Sequence, residues 1–528
     1  MLVASGLVGI TDLVAALAQQ NGLEPIDLRQ TSPDPAVAVK LAASVAEELD
    51  ALPIRATATD VIVAVGDPSR PRLRPMLVAA LGSPVVLVVA DPQDLARARA
   101  EVAKTAAASE GLGDIIRAFE ARATPSATTG ETVEGLQVDE NAPIVQVVSR
   151  IIEAAVAGRA SDVHIEPMED RVRIRNRIDG ALKEVLSLPP SMAQALSSRI
   201  KIMAGLNIVE RRRPQDGQIE TVAAGRKLDI RVSTAGTVFG ESVVLRILDR
   251  AQALHGLHDL GMRAEVEARY REVIYSPYGL VVCAGPTGSG KTTTLYTTLQ
   301  TVKSDEINVM TVEDPVEYVF PDINQMSINE VAGLTFASGL RAILRQDPDT
   351  ILVGEIRDIE TARIAIQAAL TGHFVLSTVH ATDAASALHR FIDMGIEGYL
   401  LSSALLATVG QRLVRRVCED CAKPYSPSAQ ELAFYERAGG DPDERDAFRQ
   451  GTGCAVCAGT GYFGRVGVYE VLRMTDELRG SLIHNIHADA IRKIAVADGM
   501  VPMQDQAIDL VRVGQTTIAE VMRTVYVM

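Results

Sequence analysis

The 528-residue chain contains no tryptophan, and aromatic residues make up 4% of it. Proteins that bind single-stranded nucleic acid without sequence preference use aromatic faces as stacking platforms, so this scarcity argues against that class. Excess positive charge is lacking too: 52 basic residues face 67 acidic ones, for a net charge of −15. The chain as a whole therefore offers no attraction to phosphate backbones or anionic lipid, and a protein that coats nucleic acid is not expected. Five cysteines are too few for a disulfide scaffold in a chain of this length. Long apolar runs are missing as well. The stretch from Met76 to Ala90 is uncharged but broken by Gly82-Ser83-Pro84, and it falls short of the roughly 20 residues that a membrane helix needs. No basic segment followed by an apolar core opens the sequence, so export is not expected and the expected compartment is the cytoplasm.

What is present reads as ordinary globular protein, with 47% hydrophobic and 23% charged residues and length for three to four domains at roughly 150 residues each. Residues 1–103 predict a small α/β domain, with a helix from Asp12 to Gln20, strands at Val61 to Val65 and Val85 to Val89, and further helices. Between Lys104 and Val138 the composition turns to Ala, Ser, Thr, Gly and Glu, which predicts a flexible linker. Order resumes at Asn141-Ala142-Pro143, a helix start whose Ile144, Val147, Val148, Ile151 and Ile152 form one apolar stripe. Strands follow at Val163 to Ile165 and Val172 to Ile178. In the second, Val172, Ile174 and Ile178 alternate with Arg171, Arg173, Arg175 and Arg177, which gathers the arginines on the face away from the core. Strands Leu228 to Val232 and Val243 to Leu248 turn Arg231 and Arg246 outward in the same way; a plain solvated face is the alternative reading of each arginine. From about Leu254 onward apolar strands alternate with helical segments, the pattern of a parallel-sheet α/β domain.

Gly285-Pro286-Thr287-Gly288-Ser289-Gly290-Lys291-Thr292 matches G-x-x-x-x-G-K-[ST] between the apolar strand Leu280 to Ala284 and a helix-compatible run that starts with Thr293. The glycines let the backbone fold around phosphate oxygens with its N–H groups turned inward, and the following helix N-terminus adds a favourable dipole. Lys291 is placed to reach the β- and γ-phosphates and the Thr292 hydroxyl to ligate Mg²⁺. Three further strands end in polar groups: Ile307 to Val312 before Glu313-Asp314-Pro315 and Glu317, Thr350 to Val353 before Gly354-Glu355, and Phe374 to Thr378 before His380. In open parallel sheets ligands bind beyond the carboxyl ends of the strands, so these ends describe one site. Taken singly, Glu313 or His380 reads as a helix cap or a surface residue. Glu355 is the candidate to orient or deprotonate the attacking water, Glu313 to support it or the Mg²⁺ shell, and His380 to sense the γ-phosphate.

Cys418-x-x-Cys421 and Cys454-x-x-Cys457 supply four thiolates, the tetrahedral set of a structural Zn²⁺ with no open position for catalysis. A redox pair is the alternative. Cys283, inside the strand before the glycine loop, reads as a small buried apolar residue.

Taken together, Gly285 to Thr292, Thr311 to Glu317, Leu344 to Pro348 with Val353 to Asp358, and Ser377 to His380 resemble the Walker A, Asp box, Walker B and His box of the type II/type IV secretion assembly ATPases, the GspE/PulE/PilB family. Ser161 to Pro167, Pro214 to Gly217 and Arg231 to Thr234 resemble the middle domain of that family, and the resemblance runs from about Asn141 to the C-terminus. It implies a multidomain α/β architecture: a small α/β N-terminal domain over 1–103, the linker 104–138, a PAS-like α+β middle domain over 139–252, and a RecA-like P-loop ATPase core over 253–528 that includes the tetracysteine module around 418–457. It further implies a homohexameric motor, cytoplasmic and peripheral at the inner face of the plasma membrane. Such a motor hydrolyses ATP to drive pilus or pseudopilus assembly through an inner-membrane platform protein. Arg231 and Arg246 match the family's arginine fingers, and Arg341, Arg345 and Arg357 match further site arginines. The tetracysteine module fits the extension-type members rather than the shorter retraction ATPases.

Residues 1–103 resemble the domain that docks these motors to their membrane partner and that in some members binds cyclic di-GMP. Leu2, Val3, Gly6, Leu7, Val8, Leu13, Leu17 and Gln20 follow that nucleotide motif, while its opening Arg-Leu-Gly has no counterpart because the chain starts after that point. Docking alone and cyclic di-GMP binding both stay open. Gln218, Ser242 and Ser338 stand where the family commonly has a basic residue. The competing function classes are a regulatory P-loop protein that senses cyclic di-GMP and a nucleic-acid translocase on the same core.

Overall fold

The computed structural model describes residues 10–526 except 29–30, 32, 39, 58, 101, 103–118, 120–141, 250–255, 445–447, 455 and 485–486. The predicted linker, apart from Phe119, and the motif residues Leu2 to Val8 lie outside the described residues. The chain divides into two compact units, one reaching to Asp249 and taking in Cys418–Lys423 and Gly451–Phe463, the other holding the remainder.

The first unit carries two sheets. Its N-terminal sheet has the order Glu24–Pro25, Val85–Val89, Val61–Val65, Ala51–Ala56, with the first three strands parallel and the last antiparallel. Val61–Val65 and Val85–Val89 stand at their predicted bounds because both are unbroken apolar runs. Ala51–Ala56 had no such signal. Its Pro53 cannot donate to a ladder and is tolerated because this strand lies at the sheet edge, where the register also shifts between Pro53 and Arg55.

The other sheet is antiparallel throughout, in the order Ala181–Leu188, Val172–Ile178, Asp162–Pro167, Gly240–Asp249, Arg226–Thr237, Gln215–Ala223. Helix Pro143–Ala157 begins on proline, whose missing N–H costs nothing in a first turn. It buries Val147, Val148, Ile151 and Ile152 against Val163, Ile165, Ile174, Ile230 and Leu245, together with Leu196 and Ile200 of helix Ala193–Met203. Each such side chain contributes about 1.5–3 kcal/mol on burial. In strand Val172–Ile178 the alternation holds, Asn176 taking the remaining inward position.

The opposite face of that sheet gathers the arginines as expected, but with carboxylates among them. Glu166 and Asp162 on the neighbouring strand interleave with the arginines: Arg173 Nε and Arg175 Nε donate to Glu166 Oε2 at 3.0 and 2.9 Å, and Arg177 pairs with Asp162 at 3.6 Å. Alternation fixes which face a side chain takes, but the cross-strand partner fixes its charge environment.

The second unit is built on a seven-stranded sheet ordered Asn324–Ser327, Val309–Glu313, Thr350–Val353, Phe374–Val379, Gly279–Ala284, Leu405–Val417, Tyr462–Arg473. The pairings among the first six are parallel. Central parallel strands are covered on both faces and so read as continuous apolar runs. In Gly279–Ala284, Leu280, Val282 and Ala284 join one core layer with Ile351, Ala365 and Leu388, while Val281 and Cys283 join the opposite layer with Tyr270, Leu295 and Leu376. Cys283 is fully buried, and burial pushes its thiol up to about 12, so it behaves as the small apolar residue expected.

Candidate active site

The glycine loop leaves the carboxyl end of Gly279–Ala284 and feeds helix Lys291–Val302. Gly288 and Gly290 have φ of 76° and 87°, left-handed values that side chains rarely adopt. Gly285 is required by close approach: a Cβ there would lie 2.4 Å from Ser289 Oγ and 2.7 Å from the Gln411 carbonyl oxygen. One at Gly290 would lie 2.8 Å from Gln411 Nε2. The loop is thus pressed against strand Leu405–Val417, whose Gly410 sits level with Ala284.

Inside this cradle Lys291 Nζ donates to the carbonyls of Gly285 at 2.8 Å and Pro286 at 3.0 Å. Burial holds its pKa below the usual lysine value, while Glu355 is close enough to pull it back up. Ser289 Oγ is buried with no hydrogen-bond partner. An orphaned hydroxyl and a lysine turned onto loop carbonyls are the groups that oxygens of a phosphate chain would satisfy, so the residues present fit a nucleoside triphosphate. Pro286, Thr287 and Gly288 are exposed, Thr292 is half-buried at the first turn of the helix, and Thr293 is exposed beside it.

Glu355 follows strand Thr350–Val353 and is held in a tight corner. Gly354 N–H donates to Val312 O at 2.8 Å, Ile356 N–H to Thr378 O at 2.9 Å, and the Ser377 and Thr378 hydroxyls to the Val353 and Gly354 carbonyls at 2.7 and 2.8 Å. One carboxylate oxygen pairs with Arg357 and the other lies 3.5 Å from His380 Nε2. The structure therefore brings Glu355, His380 and Arg357 together. Arg341 instead pairs with Glu360, and Arg345 donates to the Arg341 carbonyl at 2.9 Å, both on the exposed surface.

Glu313 is placed differently. Its carboxylate is buried and accepts from Tyr296 of the glycine-loop helix, from Thr311 Oγ1 at 2.6 Å and from Gln325 Nε2 at 3.2 Å. Burial, reinforced by that carboxylate, pushes the Tyr296 phenol well above its ordinary pKa, so the hydroxyl stays a donor.

Arg231 and Arg246 are direct cross-strand partners in the first unit, so their side chains share a face; Arg246 Nε donates to Asp162 Oδ1 at 3.0 Å. The tetracysteine set is assembled as the spacing predicts. Sulfur separations are 3.8 Å for Cys418–Cys454, 3.9 Å for Cys421–Cys457 and 3.7 Å for Cys454–Cys457, and all four lie within 4.8 Å of one another. A tetrahedral ion with Zn–S bonds of about 2.3 Å holds its sulfurs about 3.8 Å apart, so the four fit Zn²⁺. Although burial works against it, N–H groups of Cys454 and Gly461 bring the Cys457 thiol down to about 7, whereas burial pushes the Cys418 thiol up and that of Cys421 to about 11. The two cysteine-bearing segments group with the first unit and not with the rest of the predicted ATPase core. The physical reason lies in their contacts: Lys183 donates to the Ala458 carbonyl, and the Arg159 guanidinium lies 3.7 Å from the Phe463 ring centroid.

Sequence reasoning missed the strand Leu405–Val417 and with it Gln411 and Arg412. Gln411 Oε1 accepts from Thr294 Oγ1 at 2.9 Å, and Arg412 is buried beside it. The signal was there: Gly410-Gln411-Arg412 is a polar interruption in an apolar run.

A glycine loop, a carboxylate held by histidine and arginine, and a doubly covered parallel sheet define a P-loop nucleotide-hydrolysing core. Comparison with known proteins gives the particular family. The family described as "Type II/IV secretion system protein" matches residues 137–523, and the "MshEN domain" matches residues 21–109. The type IV pilus assembly ATPase PilB of Myxococcus xanthus is 38% identical over 525 residues, covering 98% of this chain and 92% of that protein. The type II secretion system protein E of Xanthomonas campestris pv. campestris is 44% identical over 398 residues, covering 75% and 70%. Among solved structures the Legionella pneumophila ATPase DotB shares the fold, with a TM-score of 0.55 at 23% identity over 71% of this chain and 94% of that one. The chain belongs to the Type II/IV secretion system protein family, the secretion and pilus-assembly ATPases.

Proposed function

We propose that this chain hydrolyses ATP to power assembly of a type IV pilus or of the pseudopilus of type II secretion. The observation that carries the reading is the fixed Glu355 carboxylate beyond the end of its strand, paired with Arg357 and lying 3.5 Å from His380 Nε2. The loop amides from Gly285 to Gly290 and the Lys291 ammonium bind the phosphates, with Thr292 and Thr293 at the helix N-terminus. Mg²⁺ at the Thr292 hydroxyl supplies charge cancellation on the β- and γ-phosphates when bound. Glu355 orients the attacking water and takes its proton, and His380 and Arg357 hold the carboxylate in place. Glu313 has its oxygens engaged by Tyr296, Thr311 and Gln325, which supports a role in positioning the glycine-loop helix rather than in holding metal. Arg231 and Arg246, with Arg341 and Arg345, cancel charge on the γ-phosphate once subunits assemble, for which a homohexamer is the proposed state.

Residues 253–528 carry the ATPase core, with the two cysteine-bearing segments as an excursion from it, 139–252 form the arginine-bearing middle domain, and the tetracysteine set holds one structural Zn²⁺. The matched range 21–109 supports an N-terminal domain that docks to an inner-membrane platform protein; it starts after Leu13, Leu17 and Gln20 of the cyclic di-GMP motif, so docking alone is the proposed role. Among the described residues no helix is long and apolar enough to cross a membrane, which fits peripheral attachment at the inner face. The test is Glu355→Gln, which keeps ATP affinity within about threefold and lowers turnover by about 10²-fold or more. Hydrolysis at the parental rate by this variant would sink the assignment.

A further inference from the structure

The loop that carries His380 is held from behind by buried charge. His380 follows strand Phe374–Val379, and helix Ala384–Asp393 starts four residues later with Asp383 as its cap. Arg412 NH2 donates to the Thr382 carbonyl at 2.5 Å, Arg492 pairs with Asp383 at 2.7 Å, and Ala384 N–H donates to Glu470 Oε1 at 2.7 Å. Arg412 differs from the other two anchors. Its NH1 donates to the Gln411 carbonyl at 3.1 Å, the same oxygen that a Cβ on Gly285 would meet at 2.7 Å. One guanidinium therefore ties the strand behind the glycine loop to the loop that follows His380. Arg412 is 6% exposed, and its guanidinium donates to two neutral carbonyls, with Asp383 and Glu470 acting on it from a distance. Burying a cation without a direct ion pair is costly, and an apolar side chain of similar length commonly packs as well or better. The site thus gains something from Arg412 other than packing.

We infer that Arg412 is a positioning residue for hydrolysis: by clamping the Thr382 carbonyl to the strand behind the glycine loop, it sets the distance at which His380 meets Glu355. This rests on the ATPase site proposed above. The guanidinium fork serves two acceptors at once, which an ammonium cannot do in the same geometry. Displacement of a catalytic group by about 1 Å can cost on the order of 10²-fold in rate.

The experiment is steady-state ATPase kinetics of the full chain carrying Arg412→Met or Arg412→Lys, each also made in a His380→Ala background, with thermal unfolding of every variant. The expected result is that Arg412→Met unfolds at or above the parental temperature, keeps KM within about twofold, and loses about 10- to 100-fold in kcat. Arg412→Lys falls between it and the parent. In the His380→Ala background the same change lowers kcat by less than about twofold, because the group it positions is already gone. Equal losses with and without His380 would overturn the inference, as would a lowered unfolding temperature with unchanged kcat per folded molecule. If Glu355→Gln still hydrolyses ATP, the site reading itself fails; if that variant is dead while Arg412→Met turns over normally, this inference alone fails.

Discussion

Glu520 illustrates what a single buried carboxylate does in this chain. It lies in the first turn of helix Ile518–Thr524 and is 1% exposed. It accepts from Arg415 Nε and NH2 at 3.0 and 2.7 Å and from Arg523 Nε and NH2 at 3.0 and 2.7 Å. Burial alone would raise its pKa; the two guanidinium groups overcome this and hold it below its ordinary value of 4.5. A depressed folded-state carboxyl pKa contributes stability that is present above the unfolded value and lost as pH falls through the folded one. Glu520→Gln should therefore reduce the protection of the C-terminal helix at pH 7 by about 2 kcal/mol, because it leaves Arg415 with weakened partners. Measured by hydrogen exchange, the gap between variant and parent should shrink as pH falls below 4.5. A gap that grew toward acid would show that the arginines do not set the ionisation of Glu520.

Among elements, the cysteine module has the clearest energetic logic. Its two segments, Cys418–Lys423 and Gly451–Phe463, carry little apolar mass, so the four sulfurs, 3.7 to 3.9 Å apart in three of their pairs, form its centre. Small zinc domains draw on the order of 10 kcal/mol from metal binding, and without it such a segment has little to keep it folded. Elemental analysis of carefully prepared protein should find about one Zn²⁺ per chain. Chelation should raise hydrogen exchange in both segments and then in strand Ala181–Leu188, whose Lys183 donates to Ala458. The core strand Gly279–Ala284 should stay protected, being buried at every position. Protein free of metal with the same exchange pattern would refute the staple. The cation over the Phe463 ring contributes about 0.5–1 kcal/mol to the same contact.

For the whole molecule, the outward arginines and the nucleotide site belong to different units. Arg231 and Arg246 stand opposite each other in one, and the other holds Lys291 in the glycine loop and the Glu355–His380 pair. A fingered γ-phosphate in the proposed hexamer makes two outcomes expected. Sedimentation should give six times 56.4 kDa under ATP-binding conditions. Arg231→Ala should lower kcat by about 10³-fold with ATP binding kept within a few-fold, the scale of a lost arginine finger. Turnover within twofold of the parent would remove Arg231 from the reaction.

The division between what was legible in the amino-acid order and what was not follows the range of the interactions. The glycine loop, Glu355, His380 and the two Cys-x-x-Cys pairs were determined by sequence alone, because each depends on a few neighbouring residues whose chemistry and spacing have few other uses. Strands such as Val61–Val65 and Val172–Ile178 were equally local, set by apolar runs and by alternation. Partners were not. Alternation turned Arg173 and Arg175 outward but could not place Glu166 between them, and nothing local joined Lys183 to a carbonyl 275 positions away. The insertion of Leu405–Val417 beside the glycine loop, bringing Gln411 and Arg412 behind it, was likewise decided by tertiary structure. Strand order in a parallel sheet depends on which long-range pairings bury most surface, and the residues that support a site from behind acquire that role only after the sheet has formed.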